Sequence, residues 1–312
     1  MFIPYRVDVP FDRRPVMNWL VFLAVSLVFA LQVIEIAQQL AAGTYGQPQA
    51  HSAMQQFVLK DWSVKGLLGY MWLHRDIIHL IGNLLFLWLF GNAVCSKLGS
   101  LLYLPVYLSL GLVAGISHLL FANGPVLGAS GAINGLVGMY LVFFPENSIS
   151  CFFWLLWYPV RFSVSGYWMI LLWFAFDLLG LLRGTGGVAY VAHVGGFLAG
   201  LVLAIALLKT RIVVMHRDEK SLLEMLGLDR SRKPAPARGD LTFWQHRFDV
   251  TRDQPVSAQP PAVPIKFDSD DVKDDFVRFT CSCGQRVKVD KKYAGKIGRC
   301  PYCSNRVQIP QS

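Results

Sequence analysis

Charge is scarce in this chain. Only 16% of its 312 residues are Asp, Glu, Lys or Arg, against 54% apolar residues. An ordinary soluble domain carries about 25% charged residues. Acids are the scarcer sign, 20 against 29 Lys and Arg, for a net charge of +9. The shortage is local. Residues 1–208 hold nearly all the long apolar runs, and residues 209–312 hold most of the charge. This excludes a single soluble globule and divides the chain into a membrane domain and a polar tail. No inverted repeat is legible, which argues against a transporter.

A spanning helix needs about 20 apolar residues. Such runs fall near 16–37, 77–95, 101–122, 127–145, 166–182 and 188–208. The first exceeds a secretory h-region of about 7–15 residues and reads as an uncleaved anchor. The apolar stretch 150–158 is too short to span and reads as an interfacial strand or half-helix. With the N-terminus inside, the inner segments hold Arg6, Arg13, Arg14, Lys97, Arg161 and the basic run from Lys209 to Arg238. The outer segments hold Lys60, Lys65, Arg75 and Arg183. The positive-inside rule then puts both termini in the cytoplasm, as in an integral protein of a bacterial inner (plasma) membrane. Part of the long outer loop 39–76, which carries Trp62, Tyr70, Met71 and Trp72, is expected in or on the outer leaflet.

Three of these apolar segments carry costly polar groups. His74, His79 and Asn83 head the second span, Ser130 heads the fourth, and His193 lies near the start of the sixth. All three spans run from outside to inside in this topology, so the residues share one depth in the outer half of the bilayer. A serine hydroxyl needs a base to become a nucleophile, and a neutral imidazole serves near pH 7. At a helix N-terminus Ser130 sits among free N–H donors. His79 and Asn83, one helical turn apart, share a face and both can donate to an oxyanion. Gly128 and Gly131 allow close backbone approach around Ser130. Gly196 and Gly200 give the sixth span a small-residue face for packing against a neighbour such as the fourth. Taken alone, a Gly-x-Ser-Gly run is more often packing than catalysis; the combination at matched depth points to hydrolysis within a bilayer.

Three stretches together resemble the rhomboid intramembrane serine proteases: His74-Arg75-Asp76-Ile77-Ile78-His79-Leu80-Ile81-Gly82-Asn83, Gly128-Ala129-Ser130-Gly131-Ala132-Ile133 and Ala192-His193-Val194-Gly195-Gly196, with Phe176-Asp177 in the fifth span. The resemblance implies an all-α, six-helix membrane bundle and a Ser–His dyad with no third acidic residue. It makes Ser130 the nucleophile and His193 the base, with no catalytic cofactor. His79, Asn83 and the Ser130 N–H would bind the oxyanion, and His74 would support the site near its entrance. Substrates would be transmembrane proteins cut near the outer end of a span. Two features depart from the family. Asn134 stands where many members have an aromatic that packs on the catalytic imidazole, and could hydrogen-bond the ring instead. The outer loop also lacks an evident Trp-Arg pair. Asp177 and His118 read as bonds to neighbouring helices. A silent rhomboid-like escort of membrane clients and a membrane adaptor working through its tail are the competing readings.

The tail divides further. Residues 209–228 read as a surface amphipathic helix ending at Gly227, and Pro-rich residues 229–275 as a flexible linker. Residues 276–312 carry Cys281-Ser282-Cys283 and Cys300-Pro301-Tyr302-Cys303 between strand-like runs. Four thiolates suit one tetrahedral zinc, and a unit with so little core needs such a staple. A reducing cytoplasm argues against disulfides, and no His or carboxylate completes an open catalytic site. The segment resembles bacterial zinc ribbons with an Ala-Gly-Lys turn, here Ala294-Gly295-Lys296. It is expected to be a small β module with structural zinc and an unknown cytoplasmic partner, protein or nucleic acid. Cys95 and Cys151 have no evident partner in the sequence.

Overall fold

The computed structural model describes residues 2–45, 53–155, 158–184, 188–215, 219–229, 276–281, 286–299 and 306–311. The chain forms two units, Met1–Lys233 and Pro234–Ser312.

The first unit opens with strand β1 (Phe2–Val7) and helix α1 (Val16–Ala41). After short helix α2 (Val64–Gly69) and a turn at Tyr70–Trp72 come α3 (Ile77–Phe86), a π-helical turn (Leu87–Gly91) and α4 (Asn92–Leu98). Next are α5 (Ser100–Phe121), α6 (Ser130–Phe143), strands β2 (Ser148–Leu155) and β3 (Tyr158–Ser165), α7 (Gly166–Arg183), α8 (Tyr190–Lys209) and α9 (Leu222–Met225).

Among the described residues, five helical stretches are long and apolar enough to cross a membrane: α1, the continuous run Ile77–Leu98, α5, α7 and α8. Exposed Leu20, Leu23, Leu27 and Leu31 on α1 suit lipid contact. Helix α6 is different. Its 14 residues rise only about 21 Å, short of the roughly 30 Å hydrocarbon core. Every residue of α6 is buried except Ser130 and Asn134, which lie one turn apart. An apolar helix sheathed by others buries polar chemistry at low cost only where a face is left open, and these two residues mark that face.

A polar knot ties α1 to the π-helical turn. Buried Asn18 donates to the Leu87 carbonyl at 3.0 Å and to Asn92 Oδ1 at 2.8 Å, and accepts from Tyr103. The π-turn breaks the regular i to i−4 ladder, and Asn18 satisfies a carbonyl there. At the opposite end of this run, buried Lys97 meets Glu219 at 2.5 Å and Asp12 at 3.3 Å.

Three expectations change. The stretch 150–158 is extended, as the strand alternative had it, but it belongs to two strands: β2 and β3 pair antiparallel, with β1 on the far side of β2. Alternation places Ile149 and Cys151 against the bundle, with Phe162 and Val164 packed beside them. Tyr70 and Met71 are core residues, not interfacial ones. Tyr70 donates to the Gly111 carbonyl at 2.7 Å, and Met71 fills the notch left by Gly111. Residues 209–228 do not form one helix. Helix α8 stops at Lys209, Arg211 adopts φ +59°, and among the described residues beyond it only Leu222–Met225 is helical, started by a Ser221/Glu224 capping box. Val213, Met215 and Leu223 are buried, so this segment packs onto the first unit. Gly227, with φ +68°, does follow that short helix as expected.

In the second unit, β4 (Phe276–Thr280) pairs antiparallel with β5 (Arg286–Asp290), and β6 (Ile297–Arg299) with β7 (Arg306–Gln308). A small core gathers Val277, Phe279, Cys281, Val287, Val289 and Ile309.

Candidate active site

The loop ahead of Ser130 is held by the segment 53–76. Leu59 and Val126 exchange backbone hydrogen bonds at 3.1 and 2.8 Å, and Gly128 N–H donates to the Tyr70 carbonyl at 2.9 Å. Gly128 then turns with φ +128°, a region poorly open to other residues. A Cβ there would lie 2.7 Å from His79 Cε1 and 3.0 Å from Nε2. Glycine is therefore required twice over, for the bend and for the approach of His79.

Helix α6 starts at Ser130 with Ala129 as its N-cap, so no side chain caps it. Its first N–H groups lack helical acceptors by construction, which suits them to a developing negative charge. Asp76 caps α3 and accepts from the His79 N–H at 2.8 Å. This fixes His79 in the first turn and Asn83 one turn on. Asn83 is buried, and its amide nitrogen has no hydrogen-bond partner among the described residues. That nitrogen lies 3.8 Å from where a Gly128 Cβ would be. Buried donors are seldom left unpaired, and this one lies beside the bend before Ser130.

His74 is buried rather than at an open rim. Its ring stands edge-on to His79 at 5.2 Å, and its backbone is clasped on both sides by Gln32 of α1, at 3.0 and 3.2 Å. Burial, and then the neighbouring His79, push the His74 imidazole down to about 4. It is neutral near pH 7. Asp76 is held below the usual carboxylate range by the His79 N–H and then by Arg75.

On the other side, α6 and α8 touch backbone to backbone. A Cβ on Gly196 would collide with the Gly131 carbonyl, and one on Gly200 with that of Gly135. The expected small-residue face thus packs α8 against α6. Ala192, just before His193, faces Gly131, and His193 lies within electrostatic reach of His79. His193 Nδ1 lies 3.2 Å from Asp177 Oδ1 of α7, with both side chains mostly buried. With Nδ1 donating to that carboxylate, Nε2 is the ring nitrogen left to act as a base.

Asp177 does bond a neighbouring helix, but its partner there is the imidazole itself, which a bare dyad lacks. Asn134 does not reach that ring with its amide N–H, which donates to the Ser130 carbonyl at 3.0 Å. The aromatic beside the imidazole is Tyr190, edge-on at 6.3 Å. It is wedged against Gly180 of α7. Sequence reading missed Tyr190 and Gln32; a Tyr three residues before a His on one helix was the available signal. His118 bonds the Gly124 carbonyl in the turn after its own helix at 3.0 Å, not a neighbouring helix. Cys281 is buried at the end of β4, whereas Cys283, Cys300 and Cys303 lie outside the described residues. Among the described residues no cluster of three metal-binding side chains occurs.

Residues 61–210 match the family model described as the Rhomboid domain. Rhomboid protein 1, mitochondrial, of Saccharomyces cerevisiae is 29% identical over 189 residues, covering 57% of this chain and 52% of that protein. Presenilin-associated rhomboid-like protein A, mitochondrial, of Danio rerio is 31% identical over 133 residues, or 41% of this chain and 33% of that one. Rhomboid protease GlpG of Yersinia pseudotuberculosis is 28% identical over 140 residues, or 44% and 46%. The chain spans about half or less of the length of these relatives. The segment similar to the Rhomboid domain holds His74, His79, Asn83, Ser130, Asp177 and His193.

Proposed function

We propose that the first unit is an intramembrane serine endopeptidase. The observation that carries this reading is the buried, unpartnered Asn83 amide beside the Gly128 bend, on a helix start that no side chain caps. Ser130 Oγ attacks a peptide carbonyl carbon while its proton passes to His193 Nε2. The carbonyl oxygen becomes an oxyanion and accepts from the Ser130 N–H, Asn83 and His79. Asp177 holds Nδ1–H and steadies the imidazolium. That proton then passes to the leaving amine as the C–N bond breaks. Water, deprotonated by the same imidazole, releases the acyl group and restores Ser130.

Helix α6 counts as a sixth crossing, embedded in the other five, and both termini lie on the inner side. The substrate is then a transmembrane protein cut near the outer end of its span. The two relatives with mitochondrial names and GlpG leave the host membrane to be chosen by experiment. The test is cleavage of a generic membrane-anchored substrate in liposomes, with labelling by a serine-directed phosphonate. Wild type should cut and be labelled, and Ser130→Ala should do neither. A folded wild-type chain that is neither labelled nor active would favour a silent client-binding role.

For the second unit we infer a structural zinc held by Cys281, Cys283, Cys300 and Cys303. The two cysteine pairs fall at the ends or within the connections of two β-hairpins, and Cys281 packs in the small core. Zinc would cross-link hairpins that share few apolar residues. Full-length protein should bind about one equivalent of zinc, and Cys300→Ser should lose it while cleavage persists. Metal analysis showing no zinc in freshly purified wild type would overturn this reading.

A further inference from the structure

Residues 276–312 hold eight Lys or Arg and a single acid, Asp290. Six of the cations are described as exposed: Arg278, Lys288, Lys291, Lys292, Lys296 and Arg306. Their arrangement works against the fold. In the β4–β5 pair Arg278 stands directly opposite Lys288. Like charges at directly opposed positions destabilise an antiparallel pair. Nothing in so small a core requires cations there, because Val277, Phe279, Val287 and Val289 supply the buried face.

The cations are also interleaved with aromatic and aliphatic groups. Lys288 Nζ lies 3.9 Å from the centre of the Phe276 ring. Lys292 and Lys296 flank Tyr293 at 5.2 and 5.5 Å, and Lys292 also pairs with Asp290 at 3.2 Å. Ile297, next to Lys296, is 51% exposed. Basic, aromatic and exposed apolar side chains side by side are what a lipid headgroup layer accepts. The unit is also covalently continuous with a chain of membrane-spanning helices, so a bilayer surface is always within its reach.

We propose that the cationic face of residues 276–311 docks on an anionic phospholipid surface, with Ile297 entering the headgroup region. Each cation near such a surface strengthens binding about 5-fold. The attraction is screened beyond about one Debye length.

The test uses the full-length protein in nanodiscs of phosphatidylcholine, with and without phosphatidylglycerol. Hydrogen exchange is read on peptides from 276–311. Phosphatidylglycerol should slow exchange across 286–299, and high salt should reverse the effect. A combined K288Q, K292Q and K296Q variant should lose the lipid-dependent protection; unchanged exchange at Val277 and Val289 in phosphatidylcholine confirms its fold. Ile297→Ser should weaken protection with the charge intact. Identical exchange in both lipids would overturn the proposal, as would protection that survives both salt and the glutamine variant. Protection by added RNA or duplex DNA in phosphatidylcholine discs, with none from phosphatidylglycerol, would replace the lipid by nucleic acid.

Discussion

His193→Ala is expected to lower cleavage by at least about 10⁴-fold, and Asp177→Asn by about 10²-fold. Both should leave the protein folded in detergent. The first removes the base outright. The second keeps an oxygen near Nδ1 but removes the charge that stabilises the imidazolium, and its amide can turn a donor toward the ring and favour the wrong tautomer. Because this acts on the transition state, the Asp177→Asn loss should fall on kcat with KM little changed. Phosphonate labelling of Ser130 should slow in parallel, which a role in helix packing alone would not produce. Asp177→Asn with wild-type kcat would reduce the carboxylate to a helix-to-helix bond. His193→Ala with more than about a tenth of wild-type activity would remove it as the base.

Gly200→Leu is expected to be the most damaging packing substitution in the first unit. A Cβ at this position meets the Gly135 carbonyl, which belongs to a buried backbone and cannot step aside. Helix α8 must then move away from α6, loosening the matching Gly196–Gly131 contact one turn nearer to His193. Overpacking a tight core costs about 1–3 kcal/mol even when only side chains must yield; here two backbones must separate. Thermal unfolding in detergent should shift down by several degrees or more, and cleavage should be lost with it. Gly200→Ala should show the same direction with smaller size. An unchanged unfolding temperature for Gly200→Leu would show that the two helices can part without cost.

Hydropathy located the helices because apolar runs bounded by Pro, Gly and charge leave little choice inside a bilayer. The four-residue spacing of Gly196 and Gly200 also announced a close helix crossing. The partner that α8 meets through them is visible only in three dimensions. Contacts between residues far apart in sequence were not legible. Nothing local distinguishes Tyr70 as a plug on Gly111 from Tyr70 as an interfacial anchor. The same holds for β1, whose polar and apolar residues do not announce that β2 waits more than a hundred residues later. Asp177 was visible as a polar group in a membrane helix, but which neighbour it bonds depends on the rotation of α7 against α8. The alternation of basic and apolar residues after Lys209 suggested a helix, whereas burial of Val213 and Met215 against the bundle wins over that pattern.

The buried Lys97 has a bearing on how the protein is made. Its partner Glu219 lies 122 positions later, beyond the last crossing helix. Until that residue emerges from the ribosome, a cation destined for the interior has only Asp12 to answer it. A chain ended at residue 208, where hydropathy alone would stop, would keep every spanning helix and lose this partner. Removing one member of a buried ion pair costs about 3–5 kcal/mol. A piece ending at residue 208 is therefore expected to unfold at a lower temperature than one that includes Glu219.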